Sequence, residues 1–445
     1  MDSAGLPPQM SGKVEEARTR PADVTLFAPE PHRVVLRPFI PAENGGTDVR
    51  KPRIEHILDR VLALSPALLD RELDQVLESL GSRHRDVETV LGRRFDEIAK
   101  PHLGDRPVSP AQRLLCGAYF TEEYSFEAAA LFNPSVTLHP DQQGLAEGQT
   151  RLLFSLRAVG EGHISSIVFR SGVVDGSGQV RPEAPSRWAV SPAIEFRENP
   201  ATKANDSAHL SYRGCDDPSE VVIFPVTYQQ RHGVEDLRLV RFVEEDGSTA
   251  YIGTYTAFSG ETVRQELLRT SDFVEFDLDP LAGPLSATKG MALFPRRIDG
   301  QFAMLGRHDH ENIWLLKSDR LSCWSSGQVL LEPRWPWEFV QIGVCSPPIE
   351  IDEGWLCIIH GVGSIRTYCL GACLLDKRNP AKLLARSVAP LLRPSPQQRD
   401  GYVPNVLYSC GALAIGRTLL LPYGVADTAV AVAALPIDEV LASLR

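Results

Sequence analysis

From Ile54 to about Ala99 the apolar residues recur at helical intervals, as in RIEHILDRVLALSPALLDRELDQVLESL and RHRDVETVLGRRFDEIAK. Pro66 stands where a second helix would start, because proline is tolerated in a first helical turn. At about Gln112 the pattern changes. From there to Pro436 short β-type runs alternate with Gly, Asp, Asn and Pro turns, for example TRLLFSLRAV, ISSIVFRSG, FAMLGR, IWLLKSD and GWLCIIHGV. Only the closing IDEVLASLR again looks helical. Residues 1–30, rich in Pro, Ser and charge, read as a flexible tail. Residues 31–111 read as a helical N-terminal extension, and 112–445 as an all-β domain.

Within the β region RTSDFVEF, with Asp272, is echoed by LKSDRLSCW, with Asp319. Each Ser-Asp pair follows a strand-like run. The two aspartates lie about 47 residues apart, the spacing of a four-stranded propeller blade. At that period the region would hold five or more blades, the alternative being a pair of β-sandwiches.

The chain has 445 residues, 43% hydrophobic and 23% charged, enough to bury a large core. Its net charge of -11 argues against nucleic acid and anionic membranes as partners, so any anionic substrate needs a local basic pocket. No apolar run reaches the roughly 18 residues of a membrane span, and the long apolar stretch from Leu419 is broken by Asp427. No secretory signal is visible, and the eight cysteines sit mostly in apolar runs. They read as buried reduced thiols of a cytoplasmic protein. His308 and His310 in HDH would share a strand face, a half-site for a metal, yet no well-placed carboxylate or thiol partner is evident. No metal and no cofactor are expected. Gly-x-Ser-x-Gly, Walker and dinucleotide signatures are missing.

Several segments together resemble glycoside hydrolase family 130, the mannoside phosphorylases and β-mannosidases. They are LFNPSV, SLRAVGEGHISSIVFR, GVEDLR, IGTYTAFSG, KGMALFPRRIDGQFAML, SPPIE with GWLCIIHGVG, YCLGACLLD, GYVPNVLYSCGAL and LPYGVADT, from about Gln112 to Pro436. The resemblance implies a five-bladed β-propeller with its active site in the central depression. In some members N-terminal helices take part in oligomer contacts, so the extension here points either to a homo-oligomer or to packing on its own propeller. Where well-studied branches read Asp-Pro-Arg, this chain reads Asp236-Leu237-Arg238.

Glycoside cleavage needs an acid for the leaving oxygen, and an inverting hydrolase adds a base for water. A phosphorylase replaces water with phosphate and needs a cationic cradle instead of that base. The resemblance makes Asp236 the acid, acting through a sugar hydroxyl. The residue-level alternative is that Asp236 pairs with Arg238. Glu235, its neighbour on a strand, is expected to face the opposite way. The resemblance places Arg157, Arg170 and Lys289 at phosphate, with Arg307, His308 and His360 as further candidates. Asn133, Asp427, Tyr255 and Tyr402 are candidates for the sugar. For the two tyrosines a place in the blade core is an equal alternative. Arg296 and Arg297 read as solvated or snorkelling side chains. The implied reaction is inverting phosphorolysis of a β-mannoside with inorganic phosphate as co-substrate. The alternatives are a β-mannosidase with Glu161 or Glu311 as base, and a sugar-binding propeller without catalysis.

Overall fold

The computed structural model describes residues 25–42, 52–199 and 204–445. Most of the expected tail lies outside these residues, but its last part is not a tail. Leu26 and Phe27 N–H groups donate to the Val430 carbonyl at 2.7 and 3.3 Å, and Val430 N–H returns a bond to Phe27 at 2.9 Å. Phe27 is buried edge-on against Phe154, ring centres 5.2 Å apart. The extension is also not wholly helical. Val34–Pro38 is a strand paired with Thr121–Ser125, as its run VVL, short and β-branched, favours.

The helices follow the apolar spacing. Helix α1 (Arg53–Leu62) buries Ile54, Leu58 and Val61. Helix α2 (Pro66–Gly81) starts on Pro66, as expected, and buries Leu69 and Leu73. Helix α3 (Val87–Arg94) leads through a π-turn, Phe95–Ala99. Helix α4 (Pro110–Tyr119) begins on a capping box in which Ser109 and Gln112 bond each other's backbone N–H. It overruns the expected start of the β region at Gln112, a signal masked by the β-like residues that follow. These helices share one core around Leu58, Phe95, Leu115 and Phe120.

The remaining chain forms five blades. Blade 1 is Ala130–Leu138, Thr150–Val159 and Ser165–Val174, its outer position split between Val180–Pro182 and Val222–Ile223. Blade 2 is Gly233–Val243, Thr249–Phe258, Val263–Thr270 and Glu275–Pro280, extended outward by Ser207–Ser211 and Ala193–Arg197. A single parallel pairing, Gly233 with Ser165, joins blades 1 and 2 into one sheet. Blade 3 is Ala292–Leu293, Phe302–Gly306, Ile313–Ser318 and Gly327–Leu331. Blade 4 is Gln341–Val344, Gly354–Val362, Tyr368–Leu375 and Leu383–Arg386. Blade 5 is Leu407–Tyr408, Thr418–Val425 and Ala429–Pro436, and Phe27 pairs with its outer edge at Val430. Helix α5 (Ile437–Ser443) closes the chain.

The ring is closed by burial. Five apolar cores each lie between two neighbouring blades: 1 with 2, 2 with 3, 3 with 4, 4 with 5, and 5 with 1. No blade could bury both faces alone, so the five interfaces hold each other in place. The Ser-Asp echo is a true repeat. Asp272 and Asp319 occupy the turn between third and fourth strands of blades 2 and 3.

The first strand of each blade lies innermost, and there the pairing is irregular. Blade 1 has a bulge between Phe132 and Ser135, and blade 2 another between Glu235 and Arg238. Asn133 and Asp236 sit in them with φ of 48° and 57°. Blades 4 and 5 break their inner strands at Cys345–Pro348 and Ser409–Ala412. A bulge redirects a side chain that regular alternation would bury between sheets.

Candidate active site

Where these interruptions meet, charged side chains gather. Asn133 Nδ2 donates to Asp236 Oδ1 at 2.8 Å. Arg157, on the second strand of blade 1, donates from one terminal nitrogen to Glu235 Oε1 at 2.9 Å, and its other lies 3.5 Å from Asp236 Oδ1. Lys289 Nζ, just before the inner strand of blade 3, donates to Glu235 Oε2 at 2.9 Å. One carboxylate is thus held from both sides by two cations. The bulge makes this possible. With Asp236 in the left-handed region the chain turns, and Glu235 and Asp236 both reach Arg157. The expectation that they would face opposite ways fails for that reason.

Arg238 does not form the side-chain pair with Asp236 that was the alternative. It donates to the Asp236 backbone carbonyl at 3.0 Å and to Tyr408 Oη at 2.8 Å. Arg238 is buried, and Gly290 beside it stands at φ 77°, a conformation that favours glycine. Thr288 Oγ1 bonds the Arg307 carbonyl at 2.5 Å, tying the Lys289 loop to Arg307. Arg307 has no carboxylate within ion-pair distance among the described residues. Buried His360 lies beside Tyr408, ring centres 4.9 Å apart, with the Cys345 thiol 3.6 Å from Nδ1. Its position requires Gly343, where a Cβ would meet the imidazole at 2.4 Å.

The electrostatics separate the carboxyl groups. Burial pushes Asp236 up, but Arg157, Arg238, the Asn133 hydrogen bond and Lys289 outweigh it and hold Asp236 below the usual carboxylate range. Asp427, in the turn after Thr418–Val425, is pushed up to about 6 by burial and then by the Asp236 charge, against Arg157 and Arg366. Burial, with Arg307 and Arg238 nearby, pushes His360 well below its ordinary value, so it is neutral. Burial lowers Arg157 as well, but Glu235, Asp236 and Asp427 together raise it.

Two sequence candidates lie elsewhere. Arg170 is fully buried, with one guanidinium nitrogen 2.7 Å from both Glu127 oxygens, and Arg33 stands 3.5 Å from the same carboxylate. It ties the N-terminal segment to blade 1, and its charge is already matched in the interior. Tyr255 is also buried, donating to Glu266 at 2.6 Å and accepting from Gln230 at 3.0 Å in the core between blades 1 and 2. Tyr402 is a rim residue, half exposed, with its hydroxyl 3.0 Å from His163 Nδ1. Its backbone N–H donates to Thr428, next to Asp427. His308 and His310 are in a turn, not on a strand, and His308 packs edge-on against Trp314. The described residues hold no cluster of three metal-binding side chains. Glu161 and Glu311 are exposed, and no hydrogen bond or ion pair joins their side chains to the cluster among the described residues. Arg296 and Arg297 lie over Trp355 and Phe302 and pair at the surface with Glu350 and Glu244.

Tyr408 and Arg366 stand near the site and were not singled out in the sequence, while Glu235 and Arg238 were considered only as neighbours of Asp236 and not as site residues. Fold and site together place two carboxylates, Glu235 and Asp236, among Asn133, Arg157 and Lys289 at the centre of a five-bladed propeller. The family described as beta-1,4-mannooligosaccharide phosphorylase matches residues 213–445, more than half of the chain. The chain belongs to glycoside hydrolase family 130. It is 33% identical over 219 residues to a 1,2-beta-oligomannan phosphorylase of Thermoanaerobacter sp. (strain X514), covering 48% of this chain and 72% of that protein. It is 34% identical over 163 residues to a beta-1,4-mannooligosaccharide phosphorylase of Ruminococcus albus, covering 34% and 48%. A glycosyl hydrolase from Bacteroides ovatus shares the fold, with a TM-score of 0.50 at 18% identity, over 71% of this chain and 87% of that one. The span matched by the family begins at residue 213, so Asn133 and Arg157 lie before it and rest on the resemblance of their own segments and on the geometry. No helix among the described residues is long and apolar enough to cross a membrane.

Proposed function

We propose that this enzyme is an inverting β-mannoside phosphorylase. Phosphate attacks the anomeric carbon of a terminal mannosyl unit while the bond from that carbon to the bridging oxygen breaks. The products are α-mannose 1-phosphate and a shortened acceptor. The observation that carries the reading is the grip of Arg157 and Lys289 on one carboxylate, each at 2.9 Å, beside Asp236. Two cations converging on one small anion suit phosphate; Arg307 adds a further cation, and neutral His360 can offer a hydrogen bond but no charge.

Asp236 is the acid in this reading. Its proton passes to a mannose hydroxyl, whose own proton goes to the leaving oxygen. Arg157, Arg238 and Lys289 hold Asp236 ionised, which opposes that role. A phosphate dianion taking Arg157 and Lys289 as its counter-ions would offset their charge and raise Asp236. Co-substrate binding then arms the acid. In this reading Asn133, bonded to Asp236 at 2.8 Å, orients it, and Asp427 and Tyr402 bond sugar hydroxyls.

The relatives named as phosphorylases support this reading and differ in linkage, β-1,2 against β-1,4. A second reading, hydrolysis, is favoured by Glu235 and Asp427: an inverting hydrolase needs a second carboxylate, and both stand near Arg157. The test is incubation with β-1,2-, β-1,3- and β-1,4-mannobiose and mannosyl-glucose, with and without inorganic phosphate. The expected product is phosphate-dependent α-mannose 1-phosphate, the active panel member giving the linkage. Free mannose at equal rates without phosphate would overturn the phosphorylase reading.

A further inference from the structure

Glu235 stands where a co-substrate anion would be expected. Its two oxygens take one cation each, Arg157 and Lys289, both at 2.9 Å. A carboxylate edge offers two oxygens much as a phosphate edge does, so a pair of cations spaced for one also fits the other. The two pairs are not equally fixed. Arg157 is 21% exposed and is held by Asp236 as well, whereas Lys289 is 41% exposed and its only ion pair among the described residues is with Glu235. An ion pair so open to water is worth little and separates readily.

We propose that Glu235 is a built-in competitor for phosphate: its carboxylate occupies the Arg157–Lys289 seat, and the co-substrate binds by displacing it. This rests on the phosphorolysis reading. Glu235 is then not a catalytic residue. It sets the phosphate concentration at which the enzyme fills. While phosphate is absent it gives Lys289 its ion pair and shares Arg157 with Asp236.

The test is calorimetric titration of the full chain with inorganic phosphate, comparing wild type with Glu235→Gln. It is paired with KM for phosphate and for the mannoside. Removing the competing charge should lower the phosphate Kd about tenfold or more and lower KM for phosphate, with KM for the mannoside moving less than about twofold. Glu235→Asp, one methylene short of bridging both cations, provides a second variant and should tighten phosphate to a lesser degree. Phosphate binding to wild type with unchanged or weaker affinity in both variants would overturn the inference while leaving the phosphorylase reading in place. No phosphate binding in wild type or variants would overturn both.

Discussion

At the scale of single residues, the site is decided by which carboxyl carries a proton. Asp236 and Asp427 face the same arginine, and their environments push them in opposite directions. Asp236→Asn should cut mannose 1-phosphate formation about 10²–10⁴-fold, the range of a general acid. Turnover near that of wild type would remove Asp236 from the role. Asp427 makes a prediction about stability. A carboxyl raised from its usual value to about 6 binds more protons folded than unfolded between about pH 4 and 6. Its contribution to stability therefore falls as pH rises through that window. Asp427→Asn, which cannot ionise, should match wild type below about pH 4 and gain on it towards pH 7, as urea unfolding at a series of pH values would read. A constant difference across that range would refute the assignment. Asp236 and Lys289 were legible because GVEDLR and KGMALF carry recognisable patterns. Glu235 was not, because strict strand alternation sends it away from Asp236, and a bulge leaves no mark in a sequence that lacks glycine at the kinked position.

At the scale of elements, inner strands that stop pairing regularly supply the chemistry, and regular strands supply packing. Arg157 and Arg170 lie on neighbouring strands of blade 1 and looked equivalent. One reaches Glu235 and the other is enclosed with Glu127 and Arg33. What separates them is which face of the sheet each occupies, and a strand-like run of apolar residues on both sides conceals that. Replacing Glu127 by Gln leaves Arg170 and Arg33 buried without a counter-charge and should cost about 3–5 kcal/mol. A double change to apolar residues, Glu127→Leu with Arg170→Met, should cost far less than the single one. Denaturant midpoints test this. In enzyme that folds, KM for phosphate should not change, and a large rise on Arg170→Met would restore Arg170 to the phosphate site.

At the scale of the whole molecule, the change from helical to β pattern, the Ser-Asp echo and the closing helix were all readable. The way the ring shuts was not. Segments such as Leu26-Phe27, without periodicity and next to a polar stretch, give no local sign of the edge they complete. Phe27 fills the seam between blades 5 and 1, so Phe27→Ala should lower stability by about 3–5 kcal/mol. The midpoint of thermal unfolding should fall accordingly, while an unchanged midpoint would make the contact incidental. The helical core, formed by its own residues, should keep its far-ultraviolet helix signal in that variant.

The same seam has a bearing on synthesis. Phe27, which completes the outer edge of blade 5, leaves the ribosome about 400 residues before its partner, Val430. During that interval four blades can pack on one another in order of emergence. The early segment has nothing to join. The ring therefore cannot shut until blade 5 is made, and a chain cut short before blade 5 leaves the apolar seam on blade 1 without the residues that cover it.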